Sequence, residues 1–216
     1  MFMRRKLMLQ WTFYKPTEIE KRIKTLYQSI GIESPADIQE ELIASLLDIK
    51  LRYADAPSLS FEKGKFRCIV IDNTLPEDEQ RKHFFHELGH LFRGHSGDQS
   101  RFPDLFKGLL EEQAEHFAKN AMMPYHMIQT LPLPEYEKDF PYLIACEFHV
   151  SYSLAKERWE QIKRRISAGR WEQACIEHER HRYRKASPDN WCDQAKEMFR
   201  LAIDRKLRNG QGVIIR

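Results

Sequence analysis

His86-Glu87-Leu88-Gly89-His90 stands inside a run from Leu75 to Phe92 that opens on Pro76-Glu77-Asp78-Glu79 and stops at Gly94. Acids at the start suit the helix dipole and a glycine just past the last apolar residue is a stop signal, so the spacing predicts a helix over about 75–92. On that helix residues four apart share a face, and both imidazoles can reach one metal ion. Glu87 lies about 100° round from His86, where it can reach a water beside the metal rather than the metal itself. Two neutral ring nitrogens and an adjacent carboxylate are what zinc-assisted hydrolysis requires. With 9 His and 21 Glu in 216 residues, random placement would give roughly 0.04 such patterns.

A catalytic zinc site takes three protein ligands and leaves the fourth position to water. The extended pattern HExxHxxGxxH does not fit, because Arg93 stands at its glycine, Ser96 stands at its histidine, and His95 is one residue short. Met122-Met123-Pro124 is accordingly not a Met-turn. The alternative is a glutamate on the next helix, expected over about 105–122 and stopped by Pro124, where Glu111, Glu112 and Glu115 compete. Leu110, Ala114, Phe117, Ala118 and Ala121 share one face of it. Glu111 lies roughly 75° from the centre of that face, Glu115 about 115°, and Glu112 nearly opposite. Glu111 is therefore the expected third ligand, and the alanines let the two helices approach closely. Glu115, one turn on, is a candidate acceptor for a ligating imidazole, although Glu112 and Glu115 read more simply as solvated acids.

Outward from these helices the chain reads as α+β. Thr17 and Glu20 are spaced as a capping box that opens a helix with Ile19, Ile23, Leu26, Tyr27 and Ile30 as its stripe and Gly31 as its stop. Ser34-Pro35 starts a second helix carrying Ile38, Leu42, Ser45, Leu46 and Ile49 at helical spacing. Ile49, Leu51 and Tyr53 then alternate as a strand, Cys68–Ile71 is a second, and Ser58–Phe61 is a third bounded by Gly64. Residues 95–104 are turn-prone. Leu143–Phe148 and Ser153–Ile166 read as two short helices joined at His149-Val150-Ser151. Ser187-Pro188-Asp189 opens a last helix turning Trp191, Ala195, Met198, Phe199, Ala202 and Ile203 inward.

The chain is 42% hydrophobic and 31% charged, which excludes wholesale disorder. No apolar run nears the roughly 18 residues that cross a bilayer, and the basic Met3-Arg4-Arg5-Lys6 is not followed by an uninterrupted signal-peptide core. Cys68, Cys146, Cys175 and Cys192 are widely spread, so they read as reduced thiols of a cytoplasmic protein with no membrane partner. Charge is uneven. Residues 151–216 carry 16 Lys/Arg against 9 Asp/Glu, whereas residues 1–150 carry 19 against 23. The basic part reads first as solvated helix faces.

Phe84–Phe92 around the HELGH core, then Glu111-Glu112-Gln113-Ala114-Glu115-His116-Phe117-Ala118 and Met122-Met123-Pro124, resemble the ImmA/IrrE family of metallopeptidases. That family reads HELGH, then ExxAxxFA, then a Met-Pro motif. Strand Cys68–Ile71 with Asp72-Asn73, and Phe148-His149-Val150-Ser151, also sit where the family has a strand and an F-x-V-S segment. The resemblance covers roughly residues 35–166. It implies a gluzincin-like zinc peptidase core with a small sheet packed on the HExxH helix, followed by a helical C-terminal region. It further implies one zinc ion on His86, His90 and Glu111, with Glu87 as general base. Relatives of this kind act as anti-repressor proteases of phages and mobile elements, so the implied partner is a helix-turn-helix transcriptional repressor. Two positions depart from the family: Glu115, usually Asn or Asp, and His83, usually small or hydroxylated.

The expected organisation is a metallopeptidase core over residues 1–130, a helix-turn-helix-like segment over 131–168 that completes it, and a basic helical extension over 169–216. In the expected mechanism zinc lowers the pKa of its water toward about 7 and Glu87 takes the proton. His83 reads first as an ordinary partly exposed histidine, with lining the cleft or competing for the metal as the lesser alternative; Tyr125, His126 and His149 read as structural and His116 as solvated. Cys175, His178, His181 and Cys192 fit no zinc-finger spacing. The alternative function is a zinc-containing regulatory protein that binds a repressor or DNA without cutting, against which Glu87 speaks. Direct nucleic-acid binding ranks last, because Tyr152, Ala155, Trp159, Ile162 and Ile166 would give the second helix of the motif to packing.

Overall fold

The structure, a computed structural model, describes residues 11–94, 103–182 and 190–209, side chains at 181 and 182 excepted. The chain falls into two compact units, Met1–Arg170 and Trp171–Arg216. The first begins with α1 (Glu18–Ser29), a 3₁₀ turn (Pro35–Asp37) and α2 (Glu40–Leu46). Strands β1 (Lys50–Ala54), β2 (Leu59–Lys63) and β3 (Phe66–Asp72) follow, then α3 (Glu77–Arg93), α4 (Asp104–Met122), the short α5 (Tyr125–Ile128), α6 (Phe140–Phe148) and α7 (Tyr152–Arg182), whose residues to Arg170 belong to this unit. The second unit holds the remainder of α7 and α8 (Asp193–Arg208). The fold class is α+β with one small sheet, as the order of sequence patterns implies.

Strand β3 is central. It pairs in parallel with β1, Leu51 opposite Ile69 and Tyr53 opposite Ile71, and antiparallel with β2, Phe61 opposite Cys68. The β2–β3 hairpin turns through Gly64, whose φ of 61° is a left-handed conformation that glycine adopts at no steric cost. Ile69 and Ile71 are buried, and α3 lies across β3 and β2, burying Phe84, Phe85 and Leu88. Helix α4 packs on α3 and α1 packs on α4. One core cluster runs from Trp11 through these elements to Ile166.

The helix expected from Ser34 is broken in two. The Asp37 carboxylate accepts from the Ser34 N–H at 2.8 Å and the Ser34 hydroxyl at 2.7 Å, closing a single tight turn. The Ile38 carbonyl then accepts from Arg81 at 2.9 Å instead of continuing the ladder. The residues turned inward are consequently Ile38, Ile43 and Ala44, while Leu42 and Leu46 of the expected stripe are exposed. The second helix of the 131–168 segment is not short either: α7 runs for 31 residues, because nothing from Ser167 to Arg182 but Gly169 opposes helix. Gly169 itself is buried against the Phe13 backbone, where a Cβ would collide with the Phe13 carbonyl oxygen. Of the residues expected to pack on this helix, Ala155, Trp159, Ile162 and Ile166 are buried, whereas Tyr152, at its first turn, is exposed.

Within the second unit α8 starts at Asp193 with Cys192 as its cap; the expected start at residues 187–189 lies outside the described residues, as does most of the 95–104 loop. Among the described residues the inward face expected there is only half-buried at Trp191, Ala195 and Ile203. No described residue of α8 is buried, Met198 is 72% exposed, and Trp191 meets Phe199 edge-on at 5.0 Å.

A polar cluster not anticipated from the sequence joins α1 to α7. Glu20 closes the expected capping box with Thr17, accepting from its N–H at 2.7 Å. The same carboxylate, buried, accepts from the Tyr14 hydroxyl and from Arg158 at 2.8 Å. Arg158, fully buried, also donates to the Met123 carbonyl at 3.2 Å and to Gln161 at 2.7 Å. Burial alone would raise the Glu20 pKa, but the Arg158 charge and the hydrogen bonds from Tyr14 and Thr17 outweigh it and hold it below the ordinary carboxylate value.

Candidate metal centre

Helix α3 places His86 and His90 one turn apart, and their Nε2 atoms lie 3.1 Å from each other. Glu111, near the middle of α4, brings Oε2 to 3.0 Å from His86 Nε2 and Oε1 to 3.6 Å from His90 Nε2. The three side chains form a group whose donor atoms all lie within 4.8 Å, the only metal-sized one among the described residues. Their side chains are 23%, 6% and 51% exposed for His86, His90 and Glu111 respectively.

Close helix packing makes this possible. A Cβ on Gly89 would stand 3.1 Å from the Ala114 carbonyl oxygen and 3.2 Å from the Phe117 ring, tighter than ordinary contact. Ala114, Phe117, Ala118 and Ala121 are buried along the facing side of α4. That side is the one the helical spacing selects, and Glu111 stands beside it. Helix α3 ends on Gly94, left-handed at φ 68°, and Arg93 donates to Gln113 at 2.9 Å, a second tie between the helices.

The donor set fits zinc. A tetrahedral ion bonded at about 2.0–2.1 Å requires donors about 3.3 Å apart, and the observed separations bracket that distance. Two imidazole nitrogens pointed at one another and at a carboxylate are also a poor arrangement for the side chains alone, since neutral rings cannot supply a proton to every contact. His90 Nδ1, buried, has no hydrogen-bond partner among the described residues. Glu115, considered as its acceptor, bonds neither imidazole and is exposed, as is Glu112.

A cleft of about 560 Å³ opens beside the centre. Glu79, Lys82, His83, His86 and Glu87 of α3 line it together with Glu115, Ala118, Lys119 and Met122 of α4. Ser151, Ser153, Leu154 and Glu157, around the start of α7, and Ser58, before β2, complete the wall. Glu87 is half-buried there and makes no hydrogen bond or ion pair among the described residues. The contribution of Ser58 and of the start of α7 was not legible in the sequence, where nothing marks segments so far apart as neighbours.

The remaining candidates fall elsewhere. His116 is half-buried rather than solvated, and burial, then the charges of Arg165 and Arg158, lower its pKa. His126 is also half-buried, its pKa pushed down to about 4 by burial and next by Lys24, and its Nδ1 has no partner among the described residues. Tyr125 packs its ring on Tyr14, and His149 caps α6 at φ 50°. Cys175, His178 and Cys192 are exposed and belong to no metal-sized group among the described residues; the His181 side chain lies outside them.

Fold and centre together define an α+β protein whose HExxH helix receives a carboxylate from the helix after it. The chain belongs to the peptidase M78 family, as the resemblance to ImmA/IrrE proteins implied: that family's model, described as the IrrE N-terminal-like domain, matches residues 42–160. It is similar to the phage-like element PBSX protein XkdA of Bacillus subtilis (strain 168), 31% identical over 149 residues, 69% of this chain and 75% of that protein. It is likewise similar to the uncharacterized protein YqaB of the same organism, 30% identical over 154 residues, 71% of this chain and 89% of that protein.

Proposed function

We propose that the chain is a zinc-dependent endopeptidase with a gluzincin-like core and one zinc ion per chain. Its substrate is a protein, the helix-turn-helix transcriptional repressor of a phage or other mobile element. The observation that carries this reading is the convergence of three donor atoms from two helices beside an unpaired Glu87 in an open cleft. Membership of a peptidase family supports it, and a relative named for a phage-like element supports the setting. Residues 1–130 serve as the peptidase core, 131–168 complete it, and 169–216 form a basic extension. The protein works in the cytoplasm, in keeping with four cysteines that form no disulfide. Among the described residues no helix is long and apolar enough to cross a membrane.

Zinc on His86, His90 and Glu111 would supply Lewis-acid polarisation and a water of lowered pKa. Glu87, with no partner to compete for its carboxylate, accepts a proton from the attacking water and returns it to the leaving amine. His86 and His90 would hold the ion through Nε2. The HExxH helix, wedged between sheet and α4, keeps Glu87 in fixed register with the pair.

Glu87→Gln preserves the shape of the side chain and the three metal ligands. The variant is expected to keep its zinc and to lose about 10²–10⁴-fold in cleavage rate. Purified wild-type and variant chains, each with and without a chelator, are incubated with the repressors encoded nearest the gene, and the products are read by mass spectrometry. Equal cleavage by the variant would sink the assignment of Glu87. Repressor that the wild type binds but leaves intact would favour a purely regulatory protein.

A further inference from the structure

We propose that Glu115 selects a lysine or arginine in the substrate, close to the bond to be cut; the inference rests on the peptidase reading and extends it. The cleft wall is highly charged, but most of that charge is matched within the wall. Lys82 pairs with Glu79 at 3.5 Å, and Lys119 of α4 pairs with Glu157 of α7. Two carboxylates are left: Glu87, beside the metal centre, and Glu115, exposed and without a hydrogen bond or ion pair among the described residues.

The position of Glu115 sets its reach. It follows Glu111 by four residues, about 6 Å further along α4. Ala118 and Met122, at i+3 and i+7 from it, are buried and continue the same stripe into the cleft wall, to which Leu154 also belongs. An apolar floor next to an unmatched carboxylate is complementary to a side chain with a long aliphatic stem and a cationic head. A stem of three or four carbons spans roughly the 6 Å between the metal-ligating position and Glu115.

Charge decides the preference. A peptide lying across the cleft excludes water from Glu115, and a desolvated carboxylate without a partner is penalised. A lysine or arginine head removes that penalty, whereas an apolar residue leaves it and an acidic one adds to it.

The test is a proteome-derived peptide library digested by the zinc-loaded full chain, with cut sites read by mass spectrometry. Lys and Arg should be enriched about tenfold at one fixed position within two residues of the cut. Glu115→Gln should bring that enrichment to parity, and Glu115→Lys should transfer it to Asp and Glu at the same position. Thermal melts check that both variants fold. An independent measurement needs no Glu115 variant: a library-derived peptide with its Lys replaced by norleucine should bind the zinc-loaded Glu87→Gln chain about tenfold less tightly. Identical cut-site profiles in all three chains, or equal binding of the two peptides, would overturn this inference alone. Failure of the wild type to cut any library peptide faster than Glu87→Gln would overturn the peptidase reading, and this inference with it.

Discussion

Two polar clusters in the first unit are assembled from similar parts and end in opposite states. Around Glu20 every charge is matched: the carboxylate receives Tyr14, Thr17 and Arg158, and Arg158 in turn reaches a backbone carbonyl and Gln161. Around Glu111 the partners converge without satisfying one another, with two ring nitrogens face to face, one buried Nδ1 unpartnered, and the carboxylate half in solvent. A closed network fixes a fold, because each group finds in the protein what it lost from water. An open, convergent one is completed by something the chain does not itself provide.

The sharpest way to break the contrast is to remove one member from each cluster. Arg158→Ala strands the Glu20 carboxylate in the core and should cost about 3–5 kcal/mol of unfolding free energy. Zinc stoichiometry of the chain that remains folded should be unchanged; denaturant melts and metal analysis read the two together. His86→Ala should do the reverse. On the proposed zinc site, zinc at a hundredfold excess over its dissociation constant should stabilise the wild type by about 2.7 kcal/mol. The variant should lose that increment while its metal-free melting point matches that of the metal-free wild type.

Gly89→Ala probes the spacing that brings the two halves of the centre together. Its new methyl group crowds the Ala114 carbonyl and should destabilise by about 1–3 kcal/mol. Because the imidazole pair lies within α3 and Glu111 does not, zinc titration should show weakened binding rather than none. The smallest expected effect belongs to His126, whose pKa falls from the ordinary 6.5 to about 4 in the fold. Its neutral form is the one the fold favours. It therefore contributes stability above pH 6.5, and that contribution is lost as pH falls from 6.5 toward 4. His126→Gln should make the decline in melting temperature over that window shallower.

What could be read from the sequence follows the range of the interaction. The imidazole pair is a local matter of four residues on one helix, and Glu111 follows from the angle it makes with a stripe of small and apolar residues on the next. Thr17 and Glu20 were legible as a capping box for the same reason. The second role of Glu20 was not, since Arg158 is 138 residues away and no local pattern distinguishes a buried arginine from the exposed ones around it. Leu42 and Leu46 show the converse: their helical spacing with Ile38 is real, but Asp37 and Arg81 divert the backbone, so Ile38 stays in the core while the two leucines turn out of it. The apolar residues of α8 misled in another way, since their periodicity specifies a face but not that anything within the described structure covers it.

Gly169 is the last buried residue on α7, and none of the described residues beyond it is buried; Trp171, two positions on, is 74% exposed. Beyond that point the described part of α7 has no burial to hold it, so its shape rests on its own backbone ladder and on one-turn side-chain pairs such as Gln173 donating to Glu177 at 3.1 Å.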